Sequence, residues 1–190
     1  AHHLAAQVPQ DLRLHTGRCV LRYPVLDDAP RMLSAFRSPA FPRYVPLGRL
    51  TAPEQVREWI KGSQARWARG HAYTWTLERT RDGMLAGQVT LACRPEAGTW
   101  ALAYWTHPDC WGQGYATEAA QRAIQFAFQE LEAVRVWAGV TPRNEPSRRV
   151  LEKLGLTYLA DNPEGYRLDD EPVPIREYEI TAVTWQVDGC

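Results

Sequence analysis

Small and apolar residues recur every three or four positions after Ala116, which is the pattern of a helix with one buried face. The positions of this pattern are Ala116, Ala119, Ala120, Ala123, Ile124, Ala127, Phe128 and Leu131. Upstream, aromatic and β-branched residues are concentrated in residues 73–77, 85–93 and 99–105, as in strands. The turn-forming residues 81–83 separate the first two segments, so an antiparallel meander is predicted before the helix.

The other segments also show helix or strand patterns. In chain order we predict a strand over residues 18–23, a helix ending near residue 37, a proline-rich loop over residues 38–50, a helix over about residues 51–69, a strand over residues 135–140, a short helix over residues 145–154 and a closing hairpin that uses Ile175 and residues 178–185. Phe41, Tyr44 and Val45 in the loop are interpreted either as buried anchors or as the lining of a substrate cleft. A strand on each side of the long helix predicts parallel pairing within a mixed, twisted sheet.

Length and charge restrict the classes of function. A chain of 190 residues fits one domain, which we place at residues 10–188 after a flexible tail over residues 1–9. The 22 basic and 22 acidic residues balance, so we expect no nucleic-acid partner and no membrane partner. The four cysteines show no Cys-x-x-Cys spacing, so we expect no metal, no disulfide framework and a cytoplasmic location.

Residues 110–116 contain the strongest candidate for a binding site. Gly112 and Gly114 can reach backbone angles that other residues avoid, so that several successive N–H groups can face one anion. The helix that follows adds unpaired N–H groups and the positive end of its dipole. A phosphate is therefore the expected ligand, although a tight turn without a ligand is the alternative interpretation.

Asn144 and Ser147 stand at the start of the predicted short helix, and both are suited to cap it, a role worth about 1 kcal/mol. Pro146 supports this interpretation because proline is tolerated in the first turn of a helix. Arg148, Arg149 and Lys153 follow, and a solvated helix face is their ordinary interpretation.

Three motifs stand out in the second half of the chain: residues 111–120 (Trp-Gly-Gln-Gly-Tyr-Ala-Thr-Glu-Ala-Ala), residues 144–147 (Asn-Glu-Pro-Ser) and residues 150–156 (Val-Leu-Glu-Lys-Leu-Gly-Leu). Together they resemble the acetyl-CoA motifs of the GNAT superfamily of N-acetyltransferases, and most of all the branch that includes the ribosomal-protein N-terminal acetyltransferases. The resemblance implies an α/β fold, namely a single GNAT-like domain whose mixed, mostly antiparallel twisted sheet is flanked by helices. It also implies acetyl-CoA as co-substrate, bound between two splayed central strands. Trp111 departs from the Arg or Gln that many members have at that position.

The resemblance assigns roles to individual residues. The expected pyrophosphate contacts come from the backbone of Trp111, Gly112, Gln113, Gly114, Tyr115 and Ala116. The backbone of Tyr104, Trp105 and Thr106 is expected to pair with the pantetheine arm, although the two aromatic side chains fit a hydrophobic core equally well. Asn144 is expected to contact pantetheine and Arg149 to reach a nucleotide phosphate. Ser147 is the expected donor to the leaving thiolate, with Tyr104 as the alternative donor.

The implied reaction is direct transfer of an acetyl group to an amine. An α-amino group, with a pKa of about 7.7–8.0, needs a base less than a lysine with a pKa of about 10.4 does. Residues 100–105 and 136–140 contain no carboxylate, so the sequence names no base. His107, Asp109 and Glu118 are near in sequence, and Glu118 is equally well explained by its place in the first turns of the helix.

An acidic segment precedes the last strand. Asp161, Glu164, Asp169, Asp170 and Glu171 are opposed there only by Arg167. This segment is interpreted either as a solvated loop or as a surface that attracts a cationic acceptor.

We therefore expect an acetyl-CoA-dependent enzyme that acetylates a small-molecule amine or a protein N-terminus and that is a monomer or a homodimer. One alternative is a protein that binds acyl-CoA without turnover, as a sensor or assembly protein. Another is a small-molecule N-acetyltransferase for a polyamine or a drug. A nucleotide-phosphate binder is disfavoured, because the glycine turn lacks the Gly-Lys-Ser/Thr of a P-loop.

Overall fold

The computed structural model describes residues 8–188 of the chain. The tail expected over residues 1–9 therefore lies mostly outside the described residues. Val8, near the end of that expected tail, is buried, and its carbonyl accepts a hydrogen bond of 2.8 Å from the Trp67 indole N–H. No helix in the described range is long and apolar enough to cross a membrane.

Within this range the chain forms eight strands and five α-helices. The strands are β1 (Leu14–His15), β2 (Cys19–Arg22), β3 (Ala72–Arg79), β4 (Leu85–Cys93), β5 (Thr99–Thr106), β6 (Arg135–Val140), β7 (Thr157–Leu168) and β8 (Glu171–Thr181). The helices are α1 (Ala29–Arg37), α2 (Pro53–Ala68), α3 (Tyr115–Gln129), α4 (Glu145–Lys153) and α5 (Ala182–Asp188).

All eight strands belong to one sheet with the order β1-β2-β3-β4-β5-β6-β8-β7. Neighbouring strands are antiparallel except for β5 and β6, which are parallel and are joined through α3. The predicted meander, the crossover and the mixed sheet flanked by helices are confirmed.

Two hydrophobic cores lie on the two faces of the sheet. One includes Val89 and Leu102 and packs against α3. The other includes Leu85 and packs Trp105 against α1 and α2. Because Leu102 and Trp105 are three residues apart in β5, their side chains point to opposite faces. Every side chain of β5 can therefore be assigned to the α3 face or to the α1–α2 face.

Two details of the C-terminal half differ from the sequence predictions. Phe126, outside the predicted helical pattern, is buried against Trp75 at 5.2 Å between ring centroids, whereas Phe128 is partly buried against Trp185. The strand predicted to continue to residue 185 ends at Thr181, because residues 182–188 form α5. The alternating pattern of residues 178–185 does not distinguish a strand that continues to residue 185 from a shorter strand followed by a short helix.

Asp28, just before α1, is the most deeply buried charged group of the α1–α2 face. Its carboxylate is fully buried and pairs with Arg22 at 2.7 Å and with Arg31 at 3.0 Å, and it also accepts the Val25 N–H at 3.0 Å. Desolvation alone would raise the pKa of this carboxyl, but the hydrogen bonds from Arg22 and Val25 and the arginine charges outweigh it. The pKa therefore lies below its usual value.

We expect Asp28→Asn to lower the free energy of unfolding by about 1.5–3 kcal/mol, because Arg22 loses its charge-assisted hydrogen bonds to Asp28 and keeps only Glu78 as a carboxylate partner. Urea denaturation at neutral pH measures this, with the exposed neighbour Asp27→Asn as the matched control.

The effect has a defined pH dependence. Since the folded pKa lies below the unfolded value of about 3.9, the stabilisation is fully present above that pH and is lost as the pH falls through the folded pKa. The difference between wild type and Asp28→Asn should therefore shrink in acid. Equal unfolding midpoints of the two proteins at neutral pH would contradict this account.

Candidate functional site

The central feature of the site is a separation of β5 from β6. The residue pairs between them are Thr99 with Arg135, Trp100 with Val136 and Ala101 with Trp137. In the described chain the pairing stops there, although β5 continues to Thr106 and β6 to Val140. A gap therefore opens between the carboxyl ends of two central strands, as expected from the resemblance.

The backbone groups of β5 alternate between its two neighbours. Hydrogen bonds from Arg94 N–H to Thr99 O (3.0 Å) and from His107 N–H to Ala86 O (2.8 Å) place the odd-numbered residues on the β4 side. The backbone groups of Tyr104 and Thr106 consequently face the gap.

Trp105 differs from its two neighbours. It is paired with Gln88, so its backbone groups are turned toward β4. Its side chain lies 5.0 Å from Phe36 and 6.0 Å from Phe41, measured between ring centroids. Trp105 thus supports the α1–α2 core and offers no backbone group to a ligand in the gap.

The glycine turn lies beside the gap and is open to solvent. Gly112 and Gly114 have φ angles of 75° and 82°, a region that residues with a Cβ rarely adopt. Gly114 is the N-cap residue of α3, and no side chain within the described residues caps this helix. The first N–H groups of α3, from Tyr115 to Thr117, therefore remain unpaired and exposed to a ligand.

Two side chains connect the turn to its surroundings. The indole N–H of Trp111 donates to the Thr106 carbonyl at 3.0 Å, which fixes the turn against the end of β5. The Gln113 amide donates to the Asp109 carbonyl at 3.3 Å. With its carbonyl occupied by Trp111, Thr106 offers its N–H group to the gap.

An arginine that the sequence did not indicate lies at the same turn. Arg18 stacks on the Tyr115 ring with 4.1 Å from its guanidinium carbon to the ring centroid. Its Nε donates to Glu118 at 2.8 Å, and its Nη2 lies 3.5 Å from the position that a Cβ on Gly114 would occupy. No local motif could reveal this placement, because Arg18 and Gly114 are far apart in the chain.

Glu118 holds this arginine in place. Besides Arg18, its carboxylate accepts a 2.5 Å hydrogen bond from the Thr16 hydroxyl. Desolvation would raise the pKa of Glu118, but the hydrogen bonds from Thr16 and Arg18 lower it overall. Glu118 is therefore fully engaged as a carboxylate and is poorly suited to act as a base.

His107 and Asp109 also have local roles. The buried His107 ring accepts the Asp109 N–H through Nδ1 at 3.1 Å, and its Nε2 lies 3.4 Å from the Ser34 hydroxyl. Within residues 8–188, no cluster of His, Cys, Asp and Glu side chains could hold a metal ion. Cys19, Cys93 and Cys110 are free thiols, and Cys190 lies outside the described residues.

The two candidate donors to the leaving group contact each other. The Tyr104 hydroxyl donates to the Ser147 carbonyl at 3.0 Å and lies 2.8 Å from the Ser147 hydroxyl. Desolvation raises the pKa of Tyr104 to about 12, with the hydrogen bond to Ser147 acting in the opposite direction. Tyr104 consequently remains a hydrogen-bond donor throughout the physiological pH range.

The cap of α4 comes from Asn144 rather than from Ser147. The side-chain oxygen of Asn144 accepts the Ser147 backbone N–H at 3.1 Å, so the Ser147 hydroxyl has no part in the cap. Arg148 is paired with Glu145 and Glu152 along the helix. The side chain of Arg149 is exposed at the first turns of α4 and makes no hydrogen bond or ion pair to the described residues.

The acidic segment is more strongly neutralised than the sequence suggested. Asp169 and Asp170 form the turn between β7 and β8, with φ angles of 52° and 62°. Asp169 pairs with Arg49, and Asp161 lies 3.7 Å from Arg176. Arg167 is the only basic residue within the segment, and the fold brings Arg49 and Arg176 to its carboxylates as well.

The same hairpin contacts the loop between α1 and α2. The Tyr166 hydroxyl donates to the Tyr44 carbonyl at 3.0 Å, and Arg49 reaches Asp169. Phe41, in this loop, is buried, while Tyr44 and Val45 are half-buried. Loop and hairpin therefore border the α1–α2 side of the sheet near the gap.

Comparison with known proteins agrees with this geometry. The profile of the acetyltransferase (GNAT) domain family matches residues 18–157. YoaA, an uncharacterised N-acetyltransferase of Bacillus subtilis, is 27% identical over 143 residues, which are 75% of this chain and 81% of that protein.

Solved structures share the fold. A candidate ribosomal-protein-serine acetyltransferase from Vibrio cholerae superposes with a TM-score of 0.83 at 22% identity, covering 92% of this chain and 99% of that one. RimL, a ribosomal L7/L12 alpha-N-protein acetyltransferase in complex with coenzyme A, superposes with a TM-score of 0.75 at 17% identity, covering 91% and 99%. Ribosomal-protein acetyltransferases are thus among the structural neighbours, as the sequence motifs led us to expect.

Proposed function

The chain belongs to the GNAT acetyltransferase family, and we propose on this basis that it transfers the acetyl group of acetyl-CoA to an α-amino group, including that of a protein N-terminus. The observation that carries this proposal is the gap between β5 and β6, beside the uncapped start of α3. The names of the structural neighbours favour an α-amine as acceptor. An α-amine also requires the least help from a base.

The residues present fit an acyl-CoA. The N–H groups from Gly112 to Thr117 would hold the pyrophosphate, and Arg18 would add a positive charge beside them. The backbone groups of Tyr104 and Thr106 would pair with the pantetheine amides. Asn144 remains the candidate for a contact with pantetheine, and the exposed Arg149 remains the candidate for a contact with a nucleotide phosphate.

The hydroxyl groups at the gap would assist departure of the sulfur. When the Tyr104 hydroxyl donates to the Ser147 hydroxyl oxygen, which lies 2.8 Å from it, the Ser147 proton can turn toward the leaving thiolate. A thiol with a pKa of about 8.5 is a tolerable leaving group, so one such donor is sufficient. The Thr106 N–H would polarise the thioester carbonyl.

Release of free CoA thiol tests the proposed function. We expect release when the protein is incubated with acetyl-CoA and a peptide bearing a free α-amino group, and none with the same peptide acetylated at its N-terminus. Release only with polyamines or lysine side chains would identify a different acceptor class. Tight binding of acetyl-CoA without release in any mixture would instead favour the sensor or assembly protein.

We expect Ser147→Ala to lower kcat by about 10²-fold while the acetyl-CoA dissociation constant stays within a few fold. Its melting temperature should stay near the wild-type value, because the cap uses the Ser147 backbone. The matched control is Asn144→Ala, which removes the cap and should cost about 1 kcal/mol of stability. An unchanged kcat in Ser147→Ala would assign the donor role to Tyr104, which Tyr104→Phe then tests.

We expect Arg18→Ala to weaken CoA binding about tenfold in calorimetric titration, because a charge-assisted hydrogen bond to phosphate is lost. Glu118→Gln is the control, since it breaks the same ion pair but keeps the guanidinium beside the turn. Because a glutamine side-chain oxygen can still accept the hydrogen bond that holds the Arg18 guanidinium in place, that variant should bind CoA at least as tightly as wild type. Equal weakening in both variants would show that the Arg18–Glu118 pair only connects β2 to α3.

A further inference from the structure

The α1–α2 face of the sheet is uncovered at the gap. Ala103 of β5 and Gly139 of β6 are exposed, although both belong to central strands. Tyr104 points to the opposite face, toward α4, because it follows Ala103 in the strand. The gap is therefore open on the α1–α2 side, and the hydroxyl groups of Tyr104 and Ser147 lie on the other side.

The strand register places one carboxylate beside the open side. Glu177 of β8 is paired with Gly139, so the two residues share the α1–α2 face. Gly139 lies two residues beyond Trp137, the last residue of β6 that pairs with β5. Glu177 is thus next to the separated part of the strands.

A tryptophan fixes the orientation of this carboxylate. The indole N–H of Trp137 donates to Glu177 Oε1 at 2.9 Å, and the Arg94 guanidinium carbon lies 3.8 Å from the centroid of the Trp137 ring. Gly139 permits this arrangement, since a Cβ there would lie 2.6 Å from Ile175 Cδ1 and 2.9 Å from the Trp137 ring. The described residues make no other side-chain hydrogen bond or ion pair to the Glu177 carboxylate, so Oε2 stays available.

Glu179 provides an internal comparison. It lies on the same face two residues farther along β8, but it is paired with Trp137, at the closed part of the β5–β6 pair. Arg135 neutralises it at 3.1 Å. Of these two neighbouring glutamates, only Glu177 combines a position at the gap with an unengaged oxygen.

We propose that Glu177 is the catalytic carboxylate that binds the acceptor amine on the α1–α2 side of the gap and takes up its proton. This inference rests on the proposed acetyl transfer. As the C–N bond forms, the nitrogen loses one proton to the Glu177 carboxylate, and the electron pair of the breaking C–S bond leaves with the sulfur. The sulfur departs on the opposite side, where the Ser147 hydroxyl would donate a hydrogen bond to it. Trp137 is a positioning residue for Glu177.

The test compares Glu177→Gln with Glu179→Gln in the full chain, using acetyl-CoA and a peptide with a free α-amino group. We expect Glu177→Gln to lower kcat/KM for the peptide by about 10²-fold, through both kcat and KM, with the acetyl-CoA dissociation constant within a few fold of wild type. Glu179→Gln should stay within a few fold of wild type in both quantities. Equal kcat/KM values for the two variants would overturn the proposal.

Trp137→Phe gives a second measurement that does not remove the charge. It deletes the indole N–H, and we expect kcat/KM to fall about tenfold in wild type but not further in the Glu177→Gln background. An additive loss in the double variant would overturn the positioning role and the proposal with it. Failure of the proposed function itself is recognised separately, because wild-type protein would then release no CoA with any amine.

Discussion

The early end of pairing between β5 and β6 is the constraint on which the rest of the site depends. Only residues 99–101 of β5 pair with β6, and beyond Ala101 the two strands continue without each other. Each strand keeps its other neighbour, since β5 is held by β4 and β6 by β8. The sheet therefore stays continuous where β5 and β6 pair, while backbone groups at its centre remain free to pair with a ligand.

The gap separates two chemical environments. On the α4 side, Tyr104 and Ser147 supply neutral hydroxyl donors, and the raised pKa of Tyr104 keeps that group protonated. On the α1–α2 side, Glu177 supplies a negative charge. Two indole N–H groups hold residues at the gap in place. That of Trp111 donates a hydrogen bond to the Thr106 carbonyl, and that of Trp137 donates one to Glu177. Tryptophan serves here as a hydrogen-bond donor as much as an apolar side chain.

The sequence predicted what depends on short-range patterns. The meander, the crossover, the glycine turn and the helix starting at Glu145 all follow from local periodicity, glycine and proline. The role of Asn144 as a cap also followed, because capping needs only neighbouring residues.

What the sequence missed depends on register and on distant contacts. Arg18 reaches Gly114 across the fold, and Glu177 lies beside the separated part of β6 on the α1–α2 face only because β8 pairs with β6 in one register. A shift of that register by one residue would turn Glu177 to the opposite face. Trp105 is a further example of what the sequence could not reveal. Backbone groups along β5 alternate between its two neighbouring strands, and the register with β4 turns those of Trp105 toward β4 and away from the gap.

A crystal structure of the protein with acetyl-CoA tests the central claim most directly. We expect the pantetheine amides to pair with the backbone of Tyr104 and Thr106 and the pyrophosphate to lie against the N–H groups at the start of α3. The sulfur should then lie within about 3.5 Å of the Ser147 or the Tyr104 hydroxyl, with the acetyl group open toward Glu177. A cofactor bound outside the β5–β6 gap, or phosphates away from the glycine turn, would contradict the account.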